Sequence, residues 1–148
     1  MIQSKTTIKI NLYNKLLGFL IKKGNKIQAK KIIDNAFLQV SKKTGHSLSF
    51  LLFKLFLKLN VFVESKTIRI KRSSYIVPFS INLNRRSYLI IKWFMKIILE
   101  NKKKISIIDK IAEEIYLILK TPSSKVLKLR ALNNTQALSN RSNIHFRW

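Results

Sequence analysis

The sequence predicts a mainly helical domain of about six helices that carries one extended, basic β-hairpin arm. Three observations predict it. Apolar residues recur at helical spacing in five segments. Strict alternation replaces that spacing only between about residues 61 and 81. Only 3 Gly and 2 Pro interrupt the 148 residues, so most of the chain is free to be helical. A single domain over 1–148 is the expectation, because domains cluster near ~100–150 residues, and 47% apolar residues can supply its core.

The first helix is expected from about Asn11 to Lys23, with Leu12, Leu16, Phe19 and Leu20 on one face. Gly24-Asn25 ends it with residues that tolerate positive φ. Lys26 to Lys43 has the clearest period: Ala29, Ile32, Ile33, Ala36, Phe37 and Val40 repeat at i, i+3, i+4, i+7, i+8 and i+11. Lys42 and Lys43 suit its negative C-terminus, and Thr44-Gly45 stops it. Leu48 to about Asn60 is apolar nearly all round except Lys54 and Lys58, which predicts a central helix with one polar stripe at the surface.

Val61-Phe62-Val63, Thr67 to Arg72, and Tyr75, Val77, Phe79 and Ile81 then alternate as two antiparallel strands, with Ser73-Ser74 near the turn. Pro78 confines its strand to an edge or irregular position. Lys66, Arg69, Lys71 and Arg72 load the tip with charge, and an isolated hairpin is marginal in water. Such an arm is expected to rest on a partner.

Helix returns from about Arg85 to Leu99, with Asn84 as the expected N-cap and Arg85, Lys92 and Lys96 in one stripe. Lys102-Lys103-Lys104 is a basic loop, and Ile105 to Leu119 a fifth helix with Ile108, Ile111 and Ile115 inward. Thr121-Pro122-Ser123-Ser124 breaks the pattern. The tail, about 122–148, is polar and only weakly helical, and is expected to order late, on a partner.

Charge decides the function class. Thirty Lys+Arg against six Asp+Glu leave a formal net charge of +24, and self-repulsion of that size calls for an anionic partner. There is no Cys, and the only histidines are His46 and His145, so thiolate, disulfide and ordinary metal or acid–base chemistry lack raw material. No catalytic residue, metal or cofactor is expected. Glu113-Glu114 reads as a solvated or Lys-paired face and Asp109 as a partner for a nearby Lys. Gly18, Gly24 and Gly45 are too far apart for a phosphate-cradling loop.

Mean hydropathy is +0.02, but a spanning helix needs ~20 apolar residues. Lys54 and Lys58 break one run, and Lys92 and Lys96 the other, so no membrane span is expected. The cations instead cluster at Lys22-Lys23-Lys26, Lys30-Lys31, Lys42-Lys43, the hairpin tip, Arg85-Arg86 and Lys102-Lys104. A polyphosphate partner binds such a surface through phosphate contacts and counterion release. The alternative reading is a basic amphipathic protein that binds anionic membrane surfaces.

At these residues the chain resembles the universal S-seven family of ribosomal small-subunit proteins, from about Lys15 to the last residue. Lys15-Leu16-Leu17-Gly18-Phe19-Leu20-Ile21-Lys22-Lys23-Gly24-Asn25-Lys26 is similar to the family's first helix and its Gly-Lys-Lys loop. Val63-Glu64-Ser65-Lys66-Thr67-Ile68-Arg69 leads to Ser74-Tyr75-Ile76-Val77-Pro78, where the family reads Tyr-x-Val-Pro. Arg85-Arg86-Ser87-Tyr88-Leu89-Ile90-Ile91-Lys92-Trp93 resembles its Arg-Arg-x-x-Ala-x-x-x-Arg-Trp. Asn140 and His145-Phe146-Arg147-Trp148 resemble its Asn followed by His-Tyr-Arg-Trp. The departures are Lys71-Arg72 for the family's Gly-Gly, the changes at Asn134, Gln136 and Leu138, and the absence of a long basic N-terminal extension.

The resemblance implies the S-seven fold and a structural role: binding small-subunit rRNA, aiding head assembly and lining the mRNA-exit and E-site region. It implies neighbouring small-subunit ribosomal proteins as partners, and mRNA or tRNA near the exit site. The expected rRNA contacts are Lys22, Lys23 and Lys26; Lys66, Arg69, Lys71 and Arg72; Arg85, Arg86 and Lys92; and Arg147. Trp93 and Trp148 are expected packing anchors. Lys outnumbers Arg 23 to 7 beside 22 Ile and 12 Asn, residues with AT-rich codons. With no evident leader, this points to synthesis inside an organelle, a mitochondrion first and a plastid as the alternative.

Overall fold

Helix α1 (residues 12–20) leads into α2 (Lys26–Thr44) and α3 (Leu48–Leu59). These come from a computed structural model that describes residues 12–102, 104–122 and 124–147. Strands β1 (Val63–Ile70) and β2 (Ser73–Ser80) form the hairpin, and α4 (Leu83–Glu100), α5 (Ile107–Lys120) and α6 (Lys125–Ser139) follow. A 3-10 helix (Arg141–Phe146) ends the described chain. The mainly helical fold with one two-stranded antiparallel hairpin is the one the sequence predicts.

Leu12 and Leu16 of α1, Ile33, Phe37 and Val40 of α2, Leu51 and Leu59 of α3, Ile90 of α4 and Ile111, Ile115 and Ile118 of α5 meet in one core. The α2 face Ala29, Ile33, Ala36, Phe37 and Val40 is buried as its period requires. Gly45 closes α2 in the left-handed region (φ 69°), its amide bonding the Ser41 carbonyl at 2.7 Å. Tyr13 ties α1 to α2 by donating its hydroxyl to Asp34 at 2.8 Å. Burial, and then that hydrogen bond, push the phenol up to about 12.

Several expected boundaries move, each for a local reason. α1 stops at residue 20, because Lys23 (φ 51°) and Gly24 (φ 78°) both turn left-handed; Asn11 lies outside the described residues. α3 is not fully central: Phe50 and Leu57 are 43% and 55% exposed. Its Lys58 does not mark a surface stripe but bends inward, donating to the Ile118 and Leu119 carbonyls at 2.8 and 2.7 Å and so capping α5.

The hairpin turn is Lys71-Arg72 itself, between the paired Ile70 and Ser73, and Lys71 takes a positive φ of 53°. The strand expected through Arg72 therefore ends two residues early, and Val61-Phe62 precede β1. Asn82, not Asn84, precedes α4. The Ile81 amide bonds the Phe62 carbonyl at 3.2 Å and Ile81 is buried, so the chain turns into helix immediately after the hairpin closes. Ser106 begins α5, accepting from the Asp109 amide at 3.2 Å and donating to its carboxylate at 2.7 Å.

The weakly helical tail forms α6 with Val126 as its one buried residue among those described. That is why its period was faint. Its Ser124 hydroxyl accepts from the Leu127 amide at 3.3 Å, a standard N-cap.

Candidate nucleic-acid interface

The hairpin is clamped at its base rather than projecting freely. On the β1 side, Asn133 of α6 donates to the Val63 carbonyl at 2.7 Å. Along β2, Asn143 donates to the Ile76 carbonyl at 3.0 Å and the Arg147 guanidinium to the Pro78 carbonyl. These two carbonyls are two residues apart, hence on the same side of the strand. The tail thus satisfies backbone groups that an open sheet edge would leave unpaired. Pro78, which has no N–H, pairs with Ser65 in the register and sits under this cover. Tyr75 adds a ring contact to Phe146, with centroids 4.8 Å apart.

A second brace joins the hairpin to α4. Arg85 grips Glu64 with two hydrogen bonds, Nε to Oε2 at 2.9 Å and Nη2 to Oε1 at 2.6 Å, and its guanidinium lies 5.1 Å from the Tyr88 ring centroid. The neighbouring Arg86 donates to the Ile81 carbonyl at 3.0 Å and covers Phe62 at 4.4 Å. Sequence reasoning placed both arginines on RNA; in the structure both hold the hairpin base.

The Glu64 carboxyl is held below the usual carboxylate range, first by the Arg85 hydrogen bond. The charges of Arg85, Lys66 and Lys92 add to this, and burial opposes it. Lys66 and Lys92 are therefore close enough to act on the same carboxylate from the hairpin and from α4.

Helix α1 packs alongside the start of α4. Lys15 donates to the Asn84 carbonyl, and Phe19 meets Tyr88 with ring centroids 5.6 Å apart. Residues 15 and 19 thus run alongside 84 and 88. One more turn of α4 reaches Lys92, while α1 ends at residue 20 and Lys22-Lys23 follow in the turn beyond it. Lys22, Lys23, Lys26, Lys66, Arg69, Lys71, Arg72 and Lys92 are all exposed. The structure brings cations of the hairpin and of α4 together around Glu64 as an acidic brace.

Other cations stand elsewhere. Lys102 and Lys104 follow the far end of α4, whose 18 residues span about 27 Å. Lys43 acts on Asp109 at the start of α5, so Lys42-Lys43 belong to that far end too. The Asp109 carboxyl is held low first by the Ser106 hydrogen bond and then by Gln39 at 3.1 Å, and the charge of the nearby Lys43 adds to this. Glu114 is not a solvated face either: its Oε1 is buried without a partner and burial raises its carboxyl.

Trp93 is half-buried against the core, and Trp148 lies outside the described residues. Among the described residues no group of three or more His, Cys, Asp or Glu could hold a metal, and no helix is long and apolar enough to cross a membrane.

Sequence reasoning missed Glu64, Lys58, Arg130 and the clamping asparagines. Glu64 left one signal, a lone acid in a basic hairpin. Arg130, which donates to the Lys58 carbonyl, left none.

A pH prediction follows from these opposed carboxyls. A carboxyl lowered in the fold stabilises it above the unfolded value of ~4.3, and that contribution is lost as pH falls through the folded value. Glu64→Gln should flatten the acid limb of the melting temperature below about pH 5. Glu114→Gln should do the opposite of harm, raising stability at neutral pH, because the raised Glu114 opposes folding once charged. Parallel curves for Glu64→Gln and the unsubstituted chain would contradict the brace.

Comparison with known proteins adds the relatives. The family described as ribosomal protein S7p/S5e matches residues 1–141. Small ribosomal subunit protein uS7m of Reclinomonas americana is 28% identical over 138 residues, covering 93% of this chain and 86% of its own. Small ribosomal subunit protein uS7 of Geobacter metallireducens is 30% identical over 134 residues, covering 90% and 85%. Its counterpart in Clostridioides difficile is 27% identical over 134 residues, covering 90% and 85%.

Proposed function

Since the chain belongs to the ribosomal protein S7p/S5e family, we propose that it is a structural constituent of the small ribosomal subunit that binds small-subunit rRNA in the head. It acts by binding rather than catalysis, as one domain, beside neighbouring small-subunit proteins. The observation that carries this reading is the braced hairpin: a cationic face whose geometry is set before RNA arrives. Folded rRNA hides base edges in a deep, narrow groove, so shape and phosphate contacts do the recognising. Lys66, Arg69, Lys71 and Arg72 supply them from the hairpin, Lys22 and Lys23 from the α1–α2 loop, Lys26 from the first residue of α2, and Lys92 from α4. Arg85, Arg86 and Arg147 serve the interface by orienting the hairpin, and their outer N–H groups face phosphate where it reaches them. The hairpin lines the mRNA-exit and E-site region, next to mRNA or tRNA.

Replacing Lys71 and Arg72 together by Glu tests the tip. Both are exposed turn residues, so stability should move within about ±0.5 kcal/mol. The log–log salt slope of rRNA binding should shrink by about 1.4–1.8 as two phosphate contacts are lost. An unchanged slope in a folded protein would remove the tip from the interface.

The resident compartment is a mitochondrion in this reading. The uS7m relative and the Lys-, Ile- and Asn-rich composition support it. Gradient fractionation of organelles should find the protein in the mitochondrial small-subunit peak, with new label lost under an inhibitor of organellar translation. Its presence in a plastid peak would favour the alternative, and absence from every small-subunit peak would end the ribosomal assignment.

A further inference from the structure

The ring cluster at the end of the chain does more than the clamp requires. Phe146 is half-buried against Tyr75, which completes its packing on the hairpin. His145 packs against Phe146 with ring centroids 3.9 Å apart and the planes tilted by 46°, and is itself exposed. Its Nδ1 lies 2.7 Å from the Ser142 carbonyl. A carbonyl can only accept, so Nδ1 carries the proton and the ring is pinned at one end while Nε2 is not used in that bond. An exposed ring held by a hydrogen bond and a neighbouring ring is a preorganised surface, and it adds nothing to the core.

The surroundings select the ligand. Arg147 and Lys66 lie over the Phe79 ring at 5.8 and 5.6 Å, on the strand that bears Tyr75. Arg141 opens the same short helix. No Asp or Glu occurs after Glu114. The one carboxylate of the hairpin, Glu64, stands opposite Phe79 but is already gripped by Arg85. A flat ring set among these cations therefore suits an aromatic group attached to a phosphate. A base inside a duplex has its faces covered by its neighbours, so the base must be unpaired.

We propose that His145, backed by Phe146 and Tyr75, is a stacking platform for one unpaired nucleotide of single-stranded RNA, with its phosphate toward Arg147 and Lys66. This rests on the RNA-binding reading above and adds a ligand class and a residue to it. The nucleotide comes from an exposed loop of the subunit's own rRNA or from mRNA.

The test uses the full chain with a short single-stranded oligoadenylate and an RNA duplex. His145→Ala should weaken the single strand about 5- to 150-fold, the range for loss of one base–aromatic stack. Duplex binding and the salt slope should not change. His145→Phe, which keeps a ring but loses the Ser142 bond, should retain most of the single-strand affinity. Equal loss for both RNAs, or loss in the Phe variant as large as in the Ala variant, overturns the platform and leaves His145 a structural residue.

In assembled small subunits, chemical probing separates the sources. A base of rRNA becomes more reactive in His145→Ala without mRNA, whereas an mRNA base does so only when mRNA is bound. No change in either arm overturns the proposal. A chain that binds neither RNA sinks the proposed function as well; normal rRNA binding with an indifferent His145→Ala sinks the platform alone.

Discussion

Affinity for a head rRNA fragment is expected to fall about 10³- to 10⁵-fold between 50 and 200 mM salt, the behaviour of a protein making 6–10 phosphate contacts. The exposed cations of the α1–α2 loop, the hairpin and α4 supply that many. Each contact releases counterions, and the log–log slope counts them at about 0.7–0.9 per phosphate. The hairpin carries one carboxylate, Glu64, and Arg85 pairs with it. Titration across a salt series reads the slope directly. A slope shallower than about −2 would mean that few of these cations meet phosphate, and the broad footprint would be wrong.

Replacing Asn143 and Arg147 together by Ala is expected to loosen the hairpin while the helical core stays folded. The two side chains hold the Ile76 and Pro78 carbonyls. A neutral hydrogen bond contributes about 0.5–1.5 kcal/mol and one from a charged group about 1.5–3. Amides of β1 and β2 should therefore lose about 30- to 2000-fold of their hydrogen-exchange protection through local opening. Amides of α2 and α5, which pack on each other through Phe37 and Ile111 in the core, should not. rRNA affinity should drop too, because a mobile hairpin must be ordered on binding. The Arg147→Ala single variant separates lost charge from lost clamping: its exchange pattern should shift near Pro78 alone. Unchanged hairpin protection in the double variant would show that the strands hold themselves.

The membrane alternative rested on the same cations without a shape. In the structure those cations are organised around a braced hairpin, an arrangement that a lipid surface does not need, and the family match runs over most of the chain.

How legible each part was depends on the range of the forces that build it. The helix period of α2, the glycine stop at Gly45, the alternation of the hairpin and the excess of cations are local properties. They arise from side-chain spacing and backbone sterics within a few residues, so composition and pattern determined them: a mainly helical chain, one basic hairpin, an anionic partner. The family resemblance then named that partner from four short motifs in order.

Which cations remain open to RNA was decided only by the tertiary structure. Arg85 and Lys92 sit in the same stripe of α4 and both are exposed, yet only Arg85 is hydrogen-bonded to Glu64, 21 residues away. Lys54 and Lys58 lie four apart on α3, yet Lys54 leans on Phe50 while Lys58 caps another helix. Arg147 and Asn143 reach back 69 and 67 residues to β2. A cation takes whichever acceptor the fold brings within about 3 Å, since a buried carbonyl left unpaired costs ~1–3 kcal/mol. Sequence determines that a lysine or arginine is charged; only the packing of distant segments determines whether a carbonyl, a carboxylate or water stands in front of it.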